Sequence, residues 1–409
     1  MSVRRVAMLS VHTSPLAQPG TGDGGGMNVY VYSLASALTR AGVDCDVFTR
    51  ADRTRQPAIV TVEPGFRVVH LVAGPREPVP KRALPPLVDE IAAAAREHIL
   101  ASGDVYDALH ANYWISGAVG HQVKHDLDLP LVATFHTLAR VKAEAGIDDD
   151  PYERARVEAE VVRCADLVVA ATDDERRSLV AAYDAEPDRV EIVPPGVDHA
   201  IFFPGERSGA RRALGLSVDR PVLLFVGRIQ ALKGVDLALR CLAGVPDQRA
   251  ELVVVGGPSG ADGPGEVDRL HTLAAQLDIA TRVRWVEPQP HAALADYYRA
   301  ADVCVVPSRS ESFGLVALES AACGTPVVAS NVGGLRSLVD DGHTGFLVDG
   351  RSADEYVAPV TKLLEDRRLA EELGVSAAAR SGGYTWSITA ARLRRLYADL
   401  SARALVQCT

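Results

Sequence analysis

Short apolar runs alternate with amphipathic stretches of helical length along most of this chain, and this alternation constrains the fold more than any other feature. Apolar runs of strand length bounded by turns are typical of strands buried on both faces. Helices that connect such strands give parallel β-α-β units, so the sequence predicts an α/β fold. The predicted strands are residues 6–11, 45–49, 68–72, 106–110, 131–135, 167–171, 190–193, 222–226, 252–255, 283–286, 303–306 and 327–329. The predicted helices between them are residues 28–40, 87–100, 152–163, 174–183, 235–243, 266–277, 294–300 and 313–322.

The alternation stops once, at the segment PPGVDHAIFFPG, where clustered proline and glycine indicate a connection between domains. A chain of 409 residues also exceeds the size at which a single core stops growing. We therefore predict two Rossmann-like domains, residues 1–197 and 198–385, with a ligand cleft between the carboxyl edges of their parallel sheets. Residues 386–409 are predicted to form a C-terminal helix that packs back toward the N-terminal domain.

Composition excludes several classes of function. The net charge of -10 and the absence of a Lys/Arg block interleaved with aromatics argue against a nucleic-acid partner. No apolar segment approaches the ~18 residues of a membrane span, and the first apolar run is too short for a signal peptide. The six cysteines are scattered without a C-x-x-C pair, so we expect reduced core residues in a cytoplasmic protein.

A glycine-rich segment, GTGDGGGMNVYV at residues 20–31, contains G-x-G-x-x-G at Gly20, Gly22 and Gly25. In a dinucleotide-binding fold this fingerprint directly follows the first strand, whereas here residues 12–19 intervene, although Asp44 and Asp46 lie where a ribose-binding acid would be expected. A flexible surface loop is a second interpretation. The favoured interpretation is a loop at a helix N-terminus, where unpaired N–H groups bind an anionic or strongly polar ligand.

Two cations follow the first predicted strand of the second half, in FVGRIQALKG. Arg228 lies just past that strand and Lys233 at the start of the next helix. Together they suit a diphosphate, because a guanidinium binds two oxygens and an ammonium acts as a point charge. The alternative is that both are ordinary solvated residues.

Two carboxylates lie in the segment PSRSESFGLVALESAACGTPVVAS. Glu311 precedes a predicted helix and Glu319 lies eight residues later, a little over two turns, so both can point to the same side. One is suited to sugar hydroxyls and the other to a ribose diol. Alternatively, Glu311 is an acid favoured by the helix dipole and Glu319 is half of a salt bridge.

The combination of G-R-x4-K-G, E-S-F-G-x4-E and G-T-P-V-V-A-S-x-V-G-G resembles the retaining family 4 glycosyltransferases. This resemblance implies the GT-B fold, with two Rossmann-like domains whose parallel sheets face each other across a cleft. Five segments are similar to family members that start mycothiol synthesis: HTSPLAQPGTGDGGGMNVYV, GPREPVPK, HANYWISG, FHTLARVK and GGPSG. Those enzymes transfer N-acetylglucosamine from UDP-N-acetylglucosamine to 1D-myo-inositol 3-phosphate, which implies an acceptor-binding N-terminal domain and a donor-binding C-terminal domain.

The resemblance assigns residues of this sequence to four groups. The catalytic group is Arg228, Lys233, His136 and Glu311. The donor-binding group is Gln18, Pro19, Gly26, Arg228, Lys233, Gln289, Glu311 and Glu319. The acceptor-binding group is His12, Asp23, Gly24, Gly25, Gly26, Met27, Asn28, Lys81, Tyr113, Thr137 and Arg154. The metal group, for Mg²⁺, is Tyr298, Arg299, Ala301 and Thr325.

Simpler interpretations exist for three of these residues. Lys81 can instead be a solvated loop lysine, Arg154 an arginine on a helix surface, and His136 a hydrogen-bonded structural histidine at a strand end. The family retains anomeric configuration, and the sequence offers no obvious carboxylate nucleophile. The resemblance therefore implies front-face attack, in which the donor's phosphate oxygen accepts the acceptor proton and His136 hydrogen-bonds the sugar.

Metal dependence is not expected for the chemistry. The pair Asp44-x-Asp46 resembles a metal-binding D-x-D motif, but it precedes a strand and is interpreted as a turn feature. No His/Cys cluster shows zinc spacing along the sequence.

Other functions stay open. Three residues depart from the mycothiol enzymes: Gly24 replaces a serine or alanine, Ala111 replaces a serine, and Asn112 replaces a histidine. A related transferase that acts on another cyclitol, an aminocyclitol or a sugar phosphate is therefore an alternative. An NAD-linked oxidoreductase and a non-catalytic sugar-nucleotide-binding protein are more distant ones. The expected partners are a UDP-sugar and a cyclitol phosphate, with monomer and homodimer both open.

Overall fold

The computed structural model describes residues 3–146, 151–259 and 263–408, which form two compact units. Unit 1 comprises Met1–Ala17, Met27–Pro194 and Trp386–Thr409, and unit 2 comprises Gln18–Gly26 and Pro195–Thr385. The predicted first domain, residues 1–197, includes two segments of unit 2, residues 195–197 and Gln18–Gly26. These residues bond within unit 2 instead, for example through the hydroxyl of Ser259, which donates to the Gly22 carbonyl at 2.8 Å.

Unit 1 contains an eight-stranded sheet in the order β3-β4-β2-β1-β5-β6-β7-β8, in which all neighbours are parallel except β3 and β4. Its strands are β1 Arg5–Leu9, β2 Asp44–Arg50, β3 Ile59–Glu63, β4 Phe66–Leu71, β5 Ala108–Asn112, β6 Leu131–Thr134, β7 Leu167–Ala170 and β8 Val190–Ile192. Its helices are α1 Gly26–Arg40, whose first residue belongs to unit 2, α2 Val88–Ser102, α3 Trp114–Leu127, α4 Ala139–Glu144, α5 Pro151–Cys164, α6 Asp173–Tyr183 and α15 Trp386–Leu400.

The first strand shows why the strands of this sheet appear in the sequence as continuous apolar runs. Successive side chains of a strand point to opposite faces. Ala7 and Leu9 belong to the apolar cluster on one face, and Val6 and Met8 to the cluster on the other. Both faces are therefore covered, as expected for a parallel sheet.

The C-terminal helix α15 completes the second of these clusters. Trp386, Leu393 and Tyr397 are buried in it. The Tyr397 hydroxyl also lies 2.6 Å from Nδ1 of His110, a buried residue of β5. The helix is therefore part of unit 1 although it follows the whole of unit 2 in the chain.

Unit 2 contains a parallel six-stranded sheet in the order β11-β10-β9-β12-β13-β14. Its strands are β9 Val222–Val226, β10 Glu251–Val255, β11 Val283–Val286, β12 Val303–Val306, β13 Val327–Ser330 and β14 Gly345–Val348. Its helices are α7 Arg207–Ala213, α8 Val235–Gly244, α9 Gly263–Gln276, α10 Leu294–Ala300, α11 Leu315–Ala322, α12 Leu335–Leu338, α13 Ala353–Glu365 and α14 Arg367–Ser381. Both units are Rossmann-like, as predicted.

Two sequence-based interpretations are wrong in unit 1. Asp46 is not a turn residue, because it lies inside β2, is fully buried and accepts hydrogen bonds from Arg67 and Tyr106. Cys164 and Cys408 are not isolated reduced residues, because they adjoin each other and are joined as a disulfide. The other four cysteines are free and buried, and no described helix is long and apolar enough to cross a membrane.

Candidate active site

Lys233 and Glu311 meet at the carboxyl end of the sheet of unit 2. Lys233 ends a short 3-10 turn after β9, and Glu311 lies in the loop after β12. Their charged groups form an ion pair in which Nζ lies 2.5 Å from Oε2. Gly234 lets the turn that carries Lys233 pack against the loop after β12. Its φ is 71°, and an added Cβ would lie 2.2 Å from the Pro307 carbonyl oxygen.

A pair of glycines after β13 fixes the backbone of Glu311. The Glu311 carbonyl accepts a hydrogen bond from the N–H of Gly334 at 2.9 Å. An added Cβ on Gly333, whose φ is 47°, would lie 2.0 Å from the same carbonyl oxygen. The V-G-G part of the sequence motif therefore positions the loop that carries Glu311.

The glycine-rich loop lies against the guanidinium of Arg228. A Cβ added to Gly25 would lie 3.3 Å from Nε of Arg228. Nη1 of Arg228 also donates to the Ser259 hydroxyl at 3.3 Å, and that hydroxyl donates to the loop carbonyl of Gly22. Ser259, in the turn after β10, belongs to the segment GGPSG that carries part of the family resemblance, but its contact with Arg228 was not predicted.

Other predicted donor residues lie along the same loop. The exposed Gln18 donates from Nε2 to the Gln289 carbonyl at 2.5 Å. Pro19 lies between Gln18 and Gly20, and a Cβ on Gly20 would lie 3.3 Å from Pro288. Gly26 begins α1 near Leu315, whose Cδ1 would be 3.4 Å from a Cβ at that glycine. The structure thus brings the predicted donor residues of the loop to one end of unit 2.

Glu319 is buried on α11 and has two partners. Its Oε1 lies 2.6 Å from Nε2 of His291, and its Oε2 accepts from the Tyr298 hydroxyl at 2.8 Å. Burial lowers the pKa of His291, but the Glu319 carboxylate outweighs it, so the pKa is raised above its ordinary value. Glu311 and Glu319 therefore have different partners, and sequence reasoning missed His291.

The His291–Glu319 pair predicts a pH-dependent stability. The pKa of His291 is raised in the folded protein, so protonated His291 contributes to the free energy of unfolding. This contribution is fully present below the pKa of the unfolded chain, about 6.5, and is lost as pH rises through the pKa of the folded protein. We expect His291→Gln to be destabilising at pH 5.5 relative to the unchanged chain, with a difference that shrinks toward pH 8. Urea unfolding followed by tryptophan fluorescence measures it. The exposed His343→Gln is the control, and a pH-independent difference would contradict the assignment.

The predicted magnesium ligands are already engaged with protein groups. The carbonyl of Tyr298 accepts from the Thr325 hydroxyl at 2.6 Å and from the N–H of Ala301 at 3.2 Å. Arg299 forms an ion pair with Asp296 at 2.9 Å. Mg²⁺ in proteins is usually held by one or two carboxylates, and this predicted set supplies none. These residues do not fit the ion as arranged, so magnesium binding stays a prediction and no catalytic step is assigned to it.

In unit 1 the structure gathers predicted acceptor residues around the ring of Tyr113. Tyr113 follows β5 with φ of 78° and immediately precedes α3. The His12 ring centroid lies 4.5 Å from its ring centroid. Lys81 Nζ and Arg154 Cζ lie 5.7 Å and 4.9 Å from the same centroid. Two cations and an imidazole therefore lie around the Tyr113 ring, at the carboxyl end of the sheet of unit 1.

Arg154 is buried, which contradicts the interpretation as a helix-surface arginine. Its Nε donates to Oε1 of Glu158 at 2.7 Å, and its Nη2 donates to the carbonyl and hydroxyl oxygens of Thr137 at 2.6 and 2.9 Å. Burial lowers the pKa of Arg154, but the neighbouring Tyr113 and Glu158 raise it overall. The guanidinium is therefore a fixed cation beside Tyr113.

His136 follows β6 in a left-handed conformation with φ of 62°. Its Nε2 lies 2.9 Å from Oδ1 of Asn112, and its ring packs edge-on against Tyr30 with centroids 4.8 Å apart. Burial, with a smaller contribution from His110, lowers the pKa of His136 to about 3. The ring is therefore neutral near pH 7, and the amide oxygen of Asn112 selects the tautomer that carries its proton on Nε2.

The remaining predicted acceptor residues divide between the units. Asp23, Gly24 and Gly25 belong to the loop in unit 2, where Gly24 is buried and bonds to the Thr21 carbonyl. Met27 and Asn28 belong to unit 1, and Asn28 is buried. Its Nδ2 donates to the Thr13 hydroxyl at 2.8 Å and to the Ser14 carbonyl at 2.6 Å, and so positions the loop after β1.

Comparison with known proteins decides the family. Residues 24–201 match the family described as Glycosyltransferase Family 4, and residues 206–380 match Glycosyl transferases group 1. The D-inositol 3-phosphate glycosyltransferase of Acidothermus cellulolyticus is 48% identical over 99% of this chain and 92% of its own length. The chain belongs to the family 4 glycosyltransferases.

Solved structures agree with this membership. A sucrose-phosphate synthase from Thermosynechococcus elongatus has a TM-score of 0.91 and 33% identity, covering 98% of this chain and 99% of that one. Anabaena HepE in complex with UDP-glucose has a TM-score of 0.75 and 21% identity, covering 98% and 100%, and shows the fold alone. The fold of this glycosyltransferase is GT-B, and the enzyme uses a nucleotide-sugar donor.

The oxidoreductase alternative finds no support in these comparisons. In the structure β1 ends at Leu9 and α1 begins only at Gly26, whereas a dinucleotide fingerprint directly joins the two elements. The glycine-rich loop of this glycosyltransferase instead contacts Arg228 and Ser259.

Proposed function

We propose that this glycosyltransferase transfers N-acetylglucosamine from UDP-N-acetylglucosamine to 1D-myo-inositol 3-phosphate, with retention of configuration, as a step in mycothiol synthesis. The observation that carries the proposal is the placement of Lys81 and Arg154 around Tyr113. The printed name of the Acidothermus relative supports the acceptor, and the uridine nucleotide rests on the motif resemblance. The GlcNAc group and the pathway rest on the motif resemblance.

The acceptor proposal follows from the chemistry of the Tyr113 cluster. A cyclitol phosphate combines a dianion with a ring that has apolar C–H faces. Charge-assisted hydrogen bonds to a phosphate need preorganised cations, and Arg154 is fixed by Glu158 and Thr137 while Lys81 is half-buried at the end of a loop. The Tyr113 ring offers a flat surface beside both cations. A cyclitol without phosphate would offer no anion for the positive charges of Lys81 and Arg154.

The donor proposal follows from the cations of unit 2. Glycosyl transfer develops positive charge at the anomeric carbon while negative charge grows on the departing diphosphate. Arg228 and Lys233, positioned by short turns after β9, are suited to neutralise that diphosphate. The pairing of Lys233 with Glu311 holds the ammonium at the sheet edge in the free protein. A preorganised donor of this kind is commonly worth ~3 kcal/mol in the transition state.

Retention by front-face attack agrees with the state of the carboxylates. Glu311 is paired with Lys233, and Glu319 with His291 and Tyr298, which supports binding roles for the two carboxylates. In the proposed reaction the acceptor oxygen bonds to the anomeric carbon as the bond to the diphosphate breaks. The acceptor proton passes to a diphosphate oxygen of the donor. Neutral His136 hydrogen-bonds a hydroxyl of the substrate sugar through the nitrogen that lacks a proton, and does not serve as the base.

A donor-by-acceptor panel tests this function. Release of UDP is measured from UDP-GlcNAc and UDP-glucose with inositol 3-phosphate, free inositol, fructose 6-phosphate and 2-deoxystreptamine. We expect turnover with UDP-GlcNAc and inositol 3-phosphate to exceed the other combinations. A preference for fructose 6-phosphate or for the aminocyclitol would favour the corresponding alternative transferase.

Lys81→Ala is expected to raise the KM for inositol 3-phosphate about tenfold or more, because a charged hydrogen bond to phosphate is lost. The KM for the donor is expected to stay unchanged. Arg82→Ala is the matched control, since Arg82 is the neighbouring cation but is exposed. Equal effects of the two substitutions, or an equal loss with free inositol, would contradict a phosphate-binding role for Lys81.

A further inference from the structure

Two histidines of α3 form one half of a side-chain cluster that shares no residue with the candidate active site. His121 and His125 are four residues apart on the helix, so their rings lie on the same face. The ring centroids are 5.2 Å apart. A pair of histidines at this spacing is a recurrent way to bind one metal ion from a helix.

Two cysteines form the other half. Cys164 is the buried last residue of α5, and Cys408 lies in the tail after α15. Nε2 of His125 lies 3.3 Å from Sγ of Cys164 and 2.9 Å from Sγ of Cys408. Nε2 of His121 lies 3.6 Å from Sγ of Cys408. The four ligand atoms all lie within 4.8 Å of one another.

We propose that His121, His125, Cys164 and Cys408 bind one Zn²⁺ ion when the two cysteines are reduced. Zinc bound at ordinary Zn–S and Zn–N lengths in a tetrahedron requires ligand atoms about 3.3–3.8 Å apart. The distances of 3.3 Å from His125 to Cys164 and 3.6 Å from His121 to Cys408 lie in that range. The 2.9 Å from His125 to Cys408 is shorter, so the Cys408 sulfur of the reduced tail has to move outward on binding. Two imidazoles and two thiolates are a common structural zinc set, and thiolates favour zinc over hard cations.

The surroundings hold both cysteines in place independently of any metal. The buried Lys124 donates to the Cys164 carbonyl at 2.7 Å and forms an ion pair with Asp166 at 2.8 Å. The other carboxylate oxygen of Asp166 accepts from the N–H of Val406 at 2.7 Å, two residues before Cys408. The Asp166 carboxylate therefore holds the tail after α15 against the surface formed by α3 and α5.

The disulfide between Cys164 and Cys408 and the zinc site exclude each other. A disulfide sulfur does not bind zinc, because the ligand is the thiolate. The proposal therefore concerns the reduced chain, where zinc replaces the thiol protons on binding. Sequence spacing could not reveal this site, since its two cysteines are 244 residues apart.

Metal content tests the proposal. The full chain, purified without a histidine tag and under reductant, is exposed to Zn²⁺, dialysed and analysed by mass spectrometry of metals. We expect about one zinc per chain, and less than about a tenth of that in Cys408→Ser and His125→Ala. Both substitutions lie at residues that are not fully buried, so folding is expected to persist. His343→Ala, an exposed histidine elsewhere, is the matched control.

Cobalt gives a second readout. Co²⁺ in the unchanged chain should show the visible absorption of a tetrahedral thiolate site, and this band should disappear in Cys408→Ser. Two results would overturn the proposal. One is the absence of zinc uptake by the fully reduced chain, with six titratable thiols in the unfolded protein. The other is zinc uptake that Cys408→Ser and His125→Ala leave unchanged.

Discussion

Replacing Lys233 by alanine is expected to lower kcat/KM for glycosyl transfer by about 100- to 1000-fold while the protein stays folded. The proposed role of the ammonium is to neutralise the departing diphosphate, and an uncharged methyl group cannot do this. The ion pair with Glu311 would also be lost, and Glu311 would no longer be fixed by a cation. Initial rates of UDP release, with the circular dichroism spectrum as a check of folding, measure the effect.

Two further variants make the Lys233 experiment specific. Lys233→Arg keeps the positive charge and should retain more activity than Lys233→Ala. It should be less active than the native protein, because a planar guanidinium does not place its charge as the compact ammonium of lysine does. Lys362→Ala, a lysine of α13 whose Nζ lies 5.3 Å from the Phe346 ring centroid, removes a cation elsewhere in unit 2 and should leave turnover unchanged. If Lys233→Ala turned over normally, the donor site proposed here would be wrong.

Replacing Arg154 by methionine is expected to have two effects, one on stability and one on acceptor binding. The fully buried Glu158 would lose its ion-pair partner, which typically costs about 3–5 kcal/mol of unfolding free energy. The hydrogen bonds to Thr137 would also be lost. Thermal unfolding and the KM for inositol 3-phosphate measure the two effects.

A double variant separates these effects. Arg154→Met with Glu158→Gln removes both buried charges, while the glutamine oxygen can still accept from the Ala139 N–H and the Tyr183 hydroxyl. We expect most of the lost stability to return, whereas the KM for the phosphorylated acceptor stays high. Recovery of both would mean that Arg154 acts only as a structural partner of Glu158.

The apolar runs predicted most strands correctly because both faces of each parallel sheet are covered. Val222–Val226, Val283–Val286 and Val303–Val306 have the predicted bounds, and the other predicted strands differ by one or two residues at their ends. Strand β14, Gly345–Val348, was not predicted. Strand β3 was not predicted, because it is an antiparallel edge strand without fully buried residues. Helix α3 was not predicted either. It is buried over most of its length, so its residues show little amphipathic periodicity.

The candidate site was predictable where motif residues follow strands. Lys233 and Glu311 belong to local motifs, and parallel topology brings the loops after β9 and β12 to the same sheet edge. Partners from distant segments were not predictable. The contacts of His291 with Glu319, of Ser259 with Arg228 and of Asn112 with His136 were not predicted, because each is set by packing between elements. The burial of Arg154 was missed for a different reason, because its partner Glu158 is local but the Thr137 oxygens that it also binds lie on another segment.

The discontinuity of unit 1 has a consequence for how the enzyme is made. Its second apolar cluster needs Trp386, Leu393 and Tyr397, which leave the ribosome only after all of unit 2. During synthesis α1 can cover this face only in part, through residues such as Val31 and Leu34, until α15 is made. The later unit can close its own core first. A nascent chain halted near Pro194 should consequently be prone to aggregation and to chaperone capture, and the last helix acts as the closing step of maturation.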